Sequence, residues 1–215
     1  MGAARVVRGV DILRSIREEL STLNEEILNH PYIRDAELGR LPRDRVALFA
    51  TNQAYIVHHD LRSLAVMLSR TRERDEESFF KAVMDGDFAA LRELDKLCTE
   101  LGVSCWDFKG VRPLAVAYTH YLAWLALFAS PGEAALALVV NLPVWGSNVG
   151  RLLKAFRDRY GIRSLGFLEV FTQDYRPLEE LALPIIERYY DEGRYRLVAR
   201  AIQAYEKAFW DSIYY

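Results

Sequence analysis

Glu206 stands on an apolar helical face, between Ala201, Ile202 and Phe209. A carboxylate in such surroundings either takes a basic partner, such as Arg62, or has its pKa pushed up by desolvation. In the second case it is a pocket acid, able to hold a ring nitrogen or an amino group and to pass a proton to it. Tyr118, beside Thr119 and close to Tyr121, offers a phenol for the same cavity, although aromatic residues at helical spacing also serve as plain core. Two amides, Asn141 and Asn148, sit about two helical turns apart on the apolar stretch Leu136 to Leu153, LALVVNLPVWGSNVGRLL. Buried amides need partners, supplied either by neighbouring helices or by a bound heterocycle. Trp145 and Trp210 offer stacking surfaces for a planar ligand, or fill the core.

Histidines and acids also raise the question of metal. His58 and His59 are adjacent on one helix and so point about 100° apart, which leaves only one of them for any single site. His58 is placed at the cavity edge. His120 is next to Tyr118 but on another face, and His30 reads as a helix terminator or cap. A helical di-iron centre wants inward carboxylates and Glu-x-x-His pairs from several helices. Asp60, Glu133, Glu169 and Glu206, with His58 and His120, are the candidates, and the chain contains no Glu-x-x-His pair. No metal site is expected, and no cofactor is indicated. Asp60 with Arg62 reads as a structural ion-pair network. Cys98 and Cys105 fit neither a zinc pair nor a redox CxxC. They read as two buried thiols, the alternative being a disulfide that closes a short loop.

Helices must position these groups. Apolar residues recur at three and four from Val10 to Asn29, which predicts one amphipathic helix, ended by His30-Pro31-Tyr32 and followed by a short turn. Pro42 suits the first turn of a long helix over Arg45 to Arg70. Two helical pieces, Glu76 to Met84 and Phe88 to Leu101, flank an Asp85-Gly86-Asp87 turn, and Gly102 is a left-handed cap. Trp106 to Val111 is a loop, and Pro113 opens a helix through Ala129. Ser130, Pro131 and Glu133 form a helix start. The central apolar helix follows, bent at Pro143, with Gly146 and Gly150 allowing close approach. Gly161 ends it. Shorter helices over Leu165 to Gln173 and Pro177 to Tyr190 precede a last one over Tyr195 to Tyr214. No alternating strand and no internal repeat is visible.

The 215 residues are 51% hydrophobic and 27% charged, with a formal net charge of -2. That supports one domain over residues 1–215 with a real core. No basic field invites nucleic acid. No apolar run reaches the roughly 20 residues that span a bilayer. The start MGAARVVRGVDILRSIREEL lacks a signal-peptide core, and Val6 occupies the hydroxyl position of a myristoylation signal. The expected location is the cytoplasm, without nucleic-acid or membrane partners.

The order of these elements, with certain residues, resembles the TenA/Thi-4 family and its relatives, which include the pyrroloquinoline-quinone synthase PqqC and the wider haem-oxygenase-like fold. The resemblance is carried by His30-Pro31-Tyr32, the Gly39-to-Pro42 turn, Phe49-Ala50-Thr51-Asn52-Gln53-Ala54-Tyr55 and Asp60-Leu61-Arg62-Ser63-Leu64-Ala65. Further along come Ala117-Tyr118-Thr119, Trp145 through Val149-Gly150, and Tyr205-Glu206-Lys207-Ala208-Phe209-Trp210. It implies an all-α, haem-oxygenase-like bundle of about seven helices around an internal pocket, assembled as a homodimer or homotetramer. The family's hydrolases attack their heterocycle with a cysteine thiolate on the central helix, assisted by an aspartate, tyrosines and a C-terminal glutamate. That nucleophile falls here at Leu142, or at Asn141 with the gap moved by one. The aspartate falls at Ala54, the tyrosine one turn on at Val57, and the central-helix tyrosine at Gly146. Tyr118 and Glu206 survive. A second branch that uses paired glutamates finds no second glutamate here.

Thiaminase-type hydrolysis is therefore not expected. The expected function is binding, with or without transformation, of a small planar heterocyclic or cofactor-related molecule. Its site is Glu206 and Tyr118 as acid–base groups, with Tyr55, His58, Asn141, Trp145, Asn148 and Trp210 around the ligand. An oxygen-using enzyme of the PqqC or di-iron type and a non-enzymatic regulator or partner subunit are the alternatives.

Overall fold

A computed structural model describes residues 8–215. The acylation reading at Val6 lies outside them. The described residues form ten α-helices and no strand. In chain order they are α1 Gly9–Glu19, α2 Ser21–Leu28, α3 Pro31–Glu37, α4 Arg43–Ser69, α5 Arg74–Leu101, α6 Ala117–Phe128, α7 Pro131–Tyr160, α8 Gly166–Val170, α9 Arg176–Arg188 and α10 Glu192–Tyr214.

The organising element is α7. Ser130 caps it: its hydroxyl accepts the Glu133 N–H at 3.2 Å while Glu133 accepts the Ser130 N–H at 2.8 Å. Glu133, a metal candidate by sequence, is thus a capping acid, and its other oxygen takes Arg194 at 2.9 Å. Every residue from Gly132 to Asn141 is buried, as expected of a helix apolar all round. The helix runs unbroken through Pro143 to Gly161, whose φ of 67° closes it in the left-handed region. It packs against α3, α9 and α10, while α4 lies along α5 and α6.

The core has two parts. In one, Phe49 of α4 is ringed by Trp145, Phe156, Phe167, Phe209 and Trp210 at centroid distances of 5.9–6.2 Å. The other joins Leu13, Ile16, Phe79, Phe80, Leu125 and Leu136. α7 threads both, with Leu138 in the second and Trp145 in the first. Asn141 and Leu142 fall at the seam, where close-packing of the two sets gives way to a hollow.

Several expectations are corrected. The first amphipathic helix divides at Leu20; no glycine or proline marks the break, so periodicity could not locate it. His30 caps as expected, its Nδ1 accepting the Tyr32 N–H at 3.1 Å. Pro31 then starts α3, where a turn was expected: at the first helical position its missing donor is harmless. Asp85-Gly86-Asp87 is no turn. α5 is continuous, because its buried stripe Phe79, Phe80, Val83, Ala90 and Leu94 outweighs the roughly 1 kcal/mol that a mid-helix glycine costs. Residues 113–116 make a turn before α6, which begins at Ala117. Cys98 and Cys105 pair as a disulfide, with Cα atoms 6.0 Å apart, rather than standing as free thiols. Finally, a window of α7 is long and apolar enough by composition to cross a membrane, with mean hydropathy 1.2, but 67% of it is buried in the bundle.

Candidate functional site

The hollow is a cavity of about 60 Å³ between α4, α5, α6, α7 and α10, with Phe171 after α8 as a further wall. Its apolar lining includes Leu138, Leu142, Trp145, Phe171 and Phe209, and its polar lining is Gln53, Asp60, Asp87, Tyr118, Asn141 and Glu206. No Lys, Arg or His lines it. Helical spacing explains the α4 contribution: Gln53, Ile56, Val57, Asp60 and Leu64 recur at three and four along one inward stripe.

Glu206 is 3% exposed. Trp210 Nε1 donates to its Oε1 at 3.2 Å, and Asn141 Nδ2 donates to its Oε2. The same Asn141 amide donates to Gln203 Oε1 at 3.0 Å, and Gln203 Nε2 reaches Asn24 at 2.5 Å. This chain of amides fixes Oε2 of the carboxyl, and the Trp210 indole fixes Oε1. Burial nevertheless pushes Glu206 up to about 8, over the opposing pull of its two hydrogen bonds. It is therefore in its protonated form at neutral pH, on the cavity wall.

Asp60 accepts the Thr119 hydroxyl, and burial raises it to about 7 against that hydrogen bond. Asp87 is also raised well above its ordinary value, by burial and then by the Asp60 charge. The Tyr118 phenol is also raised, by burial and then by Asp60, Asp87 and Glu206. Asp87 and Tyr118 are partly accessible, and both line the cavity. The lining thus couples carboxyls that titrate near neutrality to a phenol that stays protonated, a set suited to moving a proton at a bound nitrogen or carbonyl.

The structure brings Glu206, Tyr118, Asn141 and Trp145 to the cavity. Trp210 stands behind the wall, stacked on Trp145 at 5.3 Å and reaching the cavity only through Glu206. Three expected site residues are elsewhere. The Tyr55 hydroxyl pairs with His120 Nε2 at 3.1 Å, and its ring stacks on His59 at 4.1 Å. One position from the inward stripe turns it about 100° away. His58 rests edge-on against Trp106 at 5.5 Å. Asn148 donates to the Ile27 carbonyl at 3.0 Å and so stitches α7 to α2. The Asp60–Arg62 network is also absent: Asp60 turns inward to Thr119, and Arg62 is exposed.

Sequence reasoning missed Gln53, Asp60 and Asp87 as site residues. The signal was present for Asp60 and Asp87, since each is an acid on an apolar stripe, the criterion that found Glu206. For Asp87 it was hidden by the turn assigned at Gly86. Among the described residues, no three His, Cys, Asp or Glu side chains are arranged to hold a metal ion.

Phe171 closes the cavity from the α8–α9 connection, and Gly146 lets that connection approach. A Cβ on Gly146 would lie 2.7 Å from both the Phe171 carbonyl and Tyr175 Cε2. Tyr175 donates from its hydroxyl to that carbonyl at 2.9 Å. Where the resemblance places a tyrosine on the central helix, a tyrosine from outside the helix packs against the glycine instead.

An all-α bundle with an enclosed acidic cavity beside its central helix defines the class. Residues 17–215 match the TENA/THI-4/PQQC family, and the chain belongs to that family. None of the curated proteins compared matches it. Among solved structures it is similar to a TenA homologue from Pyrococcus furiosus, with a TM-score of 0.74 at 20% identity over 94% of this chain and 100% of that one. A TenA homologue from Pseudomonas syringae superposes with a TM-score of 0.78 at 15% identity, covering 99% and 98%. Haem oxygenase-1 from Synechocystis, solved with haem, follows at 0.70 and 10% identity, covering 94% and 90%. At these identities the likeness establishes the haem-oxygenase-like fold.

Proposed function

We propose that the protein binds a small planar heterocyclic or cofactor-related molecule in the α7 cavity, and acts on it, where it acts, by acid–base steps without a covalent nucleophile. The observation that carries this reading is Glu206: a buried carboxyl, held by Asn141 and Trp210 and protonated near neutrality, on the wall of a cavity that no Lys, Arg or His lines. Leu142 lines the same cavity at the position of the family's nucleophile, and a leucine cannot attack. At about 60 Å³ the hollow admits a small ring fragment at most before its walls move, so a haem-sized group does not fit. Against the di-iron alternative stands the lack, among the described residues, of three His, Cys, Asp or Glu side chains placed to hold a metal ion, and the cavity itself favours ligand binding over the regulator alternative.

A thermal-shift screen of small aromatic amines, pyrimidines and pyridines tests the site. Glu206→Gln and Tyr118→Phe should each weaken the best hits about tenfold, the effect of one lost hydrogen bond to a charged or strongly polar group. If both variants bind every hit as the unaltered protein does, the site assignment fails.

Assembly as a homodimer or homotetramer belongs to the same proposal. α6 presents Trp124, Leu127 and Phe128 to solvent, and neighbouring α10 presents Leu197. A cluster of that kind on a surface marks an interface. Trp124→Glu with Phe128→Glu should convert the oligomer to monomer in sedimentation velocity; a monomeric unaltered chain would refute this.

A further inference from the structure

The polar groups of the cavity are not equally satisfied. On the Glu206 side both oxygens have donors. On the opposite side, formed by α4, α5 and α6, they do not. Gln53 is 4% exposed, and neither end of its amide makes a hydrogen bond among the described residues. Asp60 is 7% exposed; Thr119 occupies its Oδ1 and nothing occupies its Oδ2. The Asp87 carboxyl and the Tyr118 hydroxyl also lack partners there. Gln53 and Asp60 are nearly buried, and polar groups so placed are almost always paired, so their open positions on the cavity wall, beside the partly accessible Asp87 and Tyr118, indicate what is to be bound. Three carboxyl oxygens and one amide oxygen are acceptors, against an amide NH₂ and a phenol as donors. The balance calls for a ligand group rich in N–H. With Asp60 and Asp87 on this wall, Glu206 opposite and no cation on the lining, it also calls for positive charge, since a buried carboxylate is stabilised chiefly by an opposite charge that hydrogen-bonds to it.

We infer that Asp60 and Asp87, with Gln53 and Tyr118 beside them, form a subsite for a positively charged nitrogen group, an ammonium or amidinium, on the cavity's ligand. This rests on the reading that the cavity binds a small molecule. It assigns recognition of charge to the α4–α5 wall and leaves Glu206 to face the rest of the ligand. The oxygens of Asp60 and Asp87 accept the N–H groups, and the Gln53 carbonyl takes another. The Tyr118 hydroxyl, unpaired among the described residues, is open to the ligand as well.

Charged and uncharged molecules of one shape separate this from simple cavity filling. The full-length protein is titrated calorimetrically at fixed pH 8 with acetamidinium against acetamide, and with benzamidinium against benzamide. Each cation should bind at least about tenfold tighter than its neutral partner. Asp60→Asn and Asp87→Asn should each reduce that preference, and the double variant should abolish it. These amides keep the shape of the side chain and remove a buried charge, so folding is retained. The comparison on the unaltered protein needs no variant at all. Equal affinity for the two members of a pair overturns the inference, as does a preference that survives in the double variant. If the neutral members bind equally well and depend on Glu206, the cavity reading stands and the charge assignment falls. If neither these probes nor the heterocycle panel bind, both fall.

Discussion

Replacing Glu206 by Gln should destabilise the protein by about 1 kcal/mol near pH 4 and stabilise it by about 3 kcal/mol near pH 8, with a crossover at about pH 5. The acidic-side loss follows from valence. Protonated Glu206 still accepts from Asn141 at one oxygen and from Trp210 at the other, whereas an amide has one acceptor and must turn its NH₂ toward one of those donors. The alkaline-side gain follows from linkage. The Glu206 pKa rises from 4.5 to about 8 on folding, so between those values the folded chain keeps a proton that the unfolded chain has released. The stabilisation is complete below pH 4.5, is lost as pH rises, and is gone above about 8. Such a shift represents on the order of 3–5 kcal/mol, and glutamine does not titrate. Asp60, raised from 3.8 to about 7, gives a slope of the same sign that the variant retains. Urea unfolding at a series of pH values measures the difference. Parallel profiles for the two proteins would mean that Glu206 is ionised in the fold throughout.

What could be read from the sequence, and what could not, divides along a physical line. Periodicity of three and four reports burial of a face, and on that signal the long helices, the α7 cap at Ser130 and the inward acid Glu206 were all legible. Breaks without a special residue are not: nothing at Leu20 distinguishes a helix division from continuous helix. Breaker residues mislead in the other direction. Gly86 and Pro31 were taken as interruptions, yet one lies inside α5 and the other begins α3, because tertiary packing and position within the first turn decide what such residues do. The site suffered from the same limits. Tyr55 and His58 flank the inward stripe of α4 by a single position each, and one position is the difference between cavity and surface. Asp87 was lost with the helix that carries it. The Asn148 amide is partnered at its nitrogen by the Ile27 backbone, while its Oδ1 has no partner among the described residues, and sequence gives no means of choosing between a carbonyl of the protein and an atom of a ligand.

The lining that results differs from the one the resemblance implies, and the differences compensate. The aspartate expected next to Gln53 is Ala54, while an acid two turns further along the same stripe, Asp60, and another on α5, Asp87, face the hollow. The central-helix tyrosine is Gly146, while Tyr175 comes in over the vacated position from the α8–α9 connection. The thiol is Leu142, and nothing nucleophilic replaces it. Acidity and aromatic closure come from new positions, and neither Leu142 nor Asn141 at the expected nucleophile position is a thiol, the pattern that our proposal of a cavity with a nitrogen-bearing ligand and no covalent step calls for.

Trp210 joins the stability of the bundle to the chemistry of the cavity, and two substitutions separate those roles. Trp210 is fully buried and packs on Phe209, Trp145, Tyr32 and Phe49 at centroid distances of 4.9–6.2 Å. Trp210→Ala should therefore cost about 3–5 kcal/mol, through lost burial and the cavity left behind. Trp210→Phe keeps most of the ring contact and removes only the Nε1 donor to Glu206 Oε1. Its penalty, about 1 kcal/mol near pH 5, should grow by about another 1 kcal/mol by pH 9, because the missing donor serves the ionised carboxylate better than the neutral acid and its loss drives the Glu206 pKa above its present value. In the background of Glu206→Gln that pH-dependent part should vanish, leaving a coupling of about 0.5–1.5 kcal/mol in a double-mutant cycle at high pH. Denaturant unfolding of the four proteins at the two pH values measures it. Additive penalties at both pH values would show that Trp210 holds the core alone and leaves the titration of Glu206 to burial.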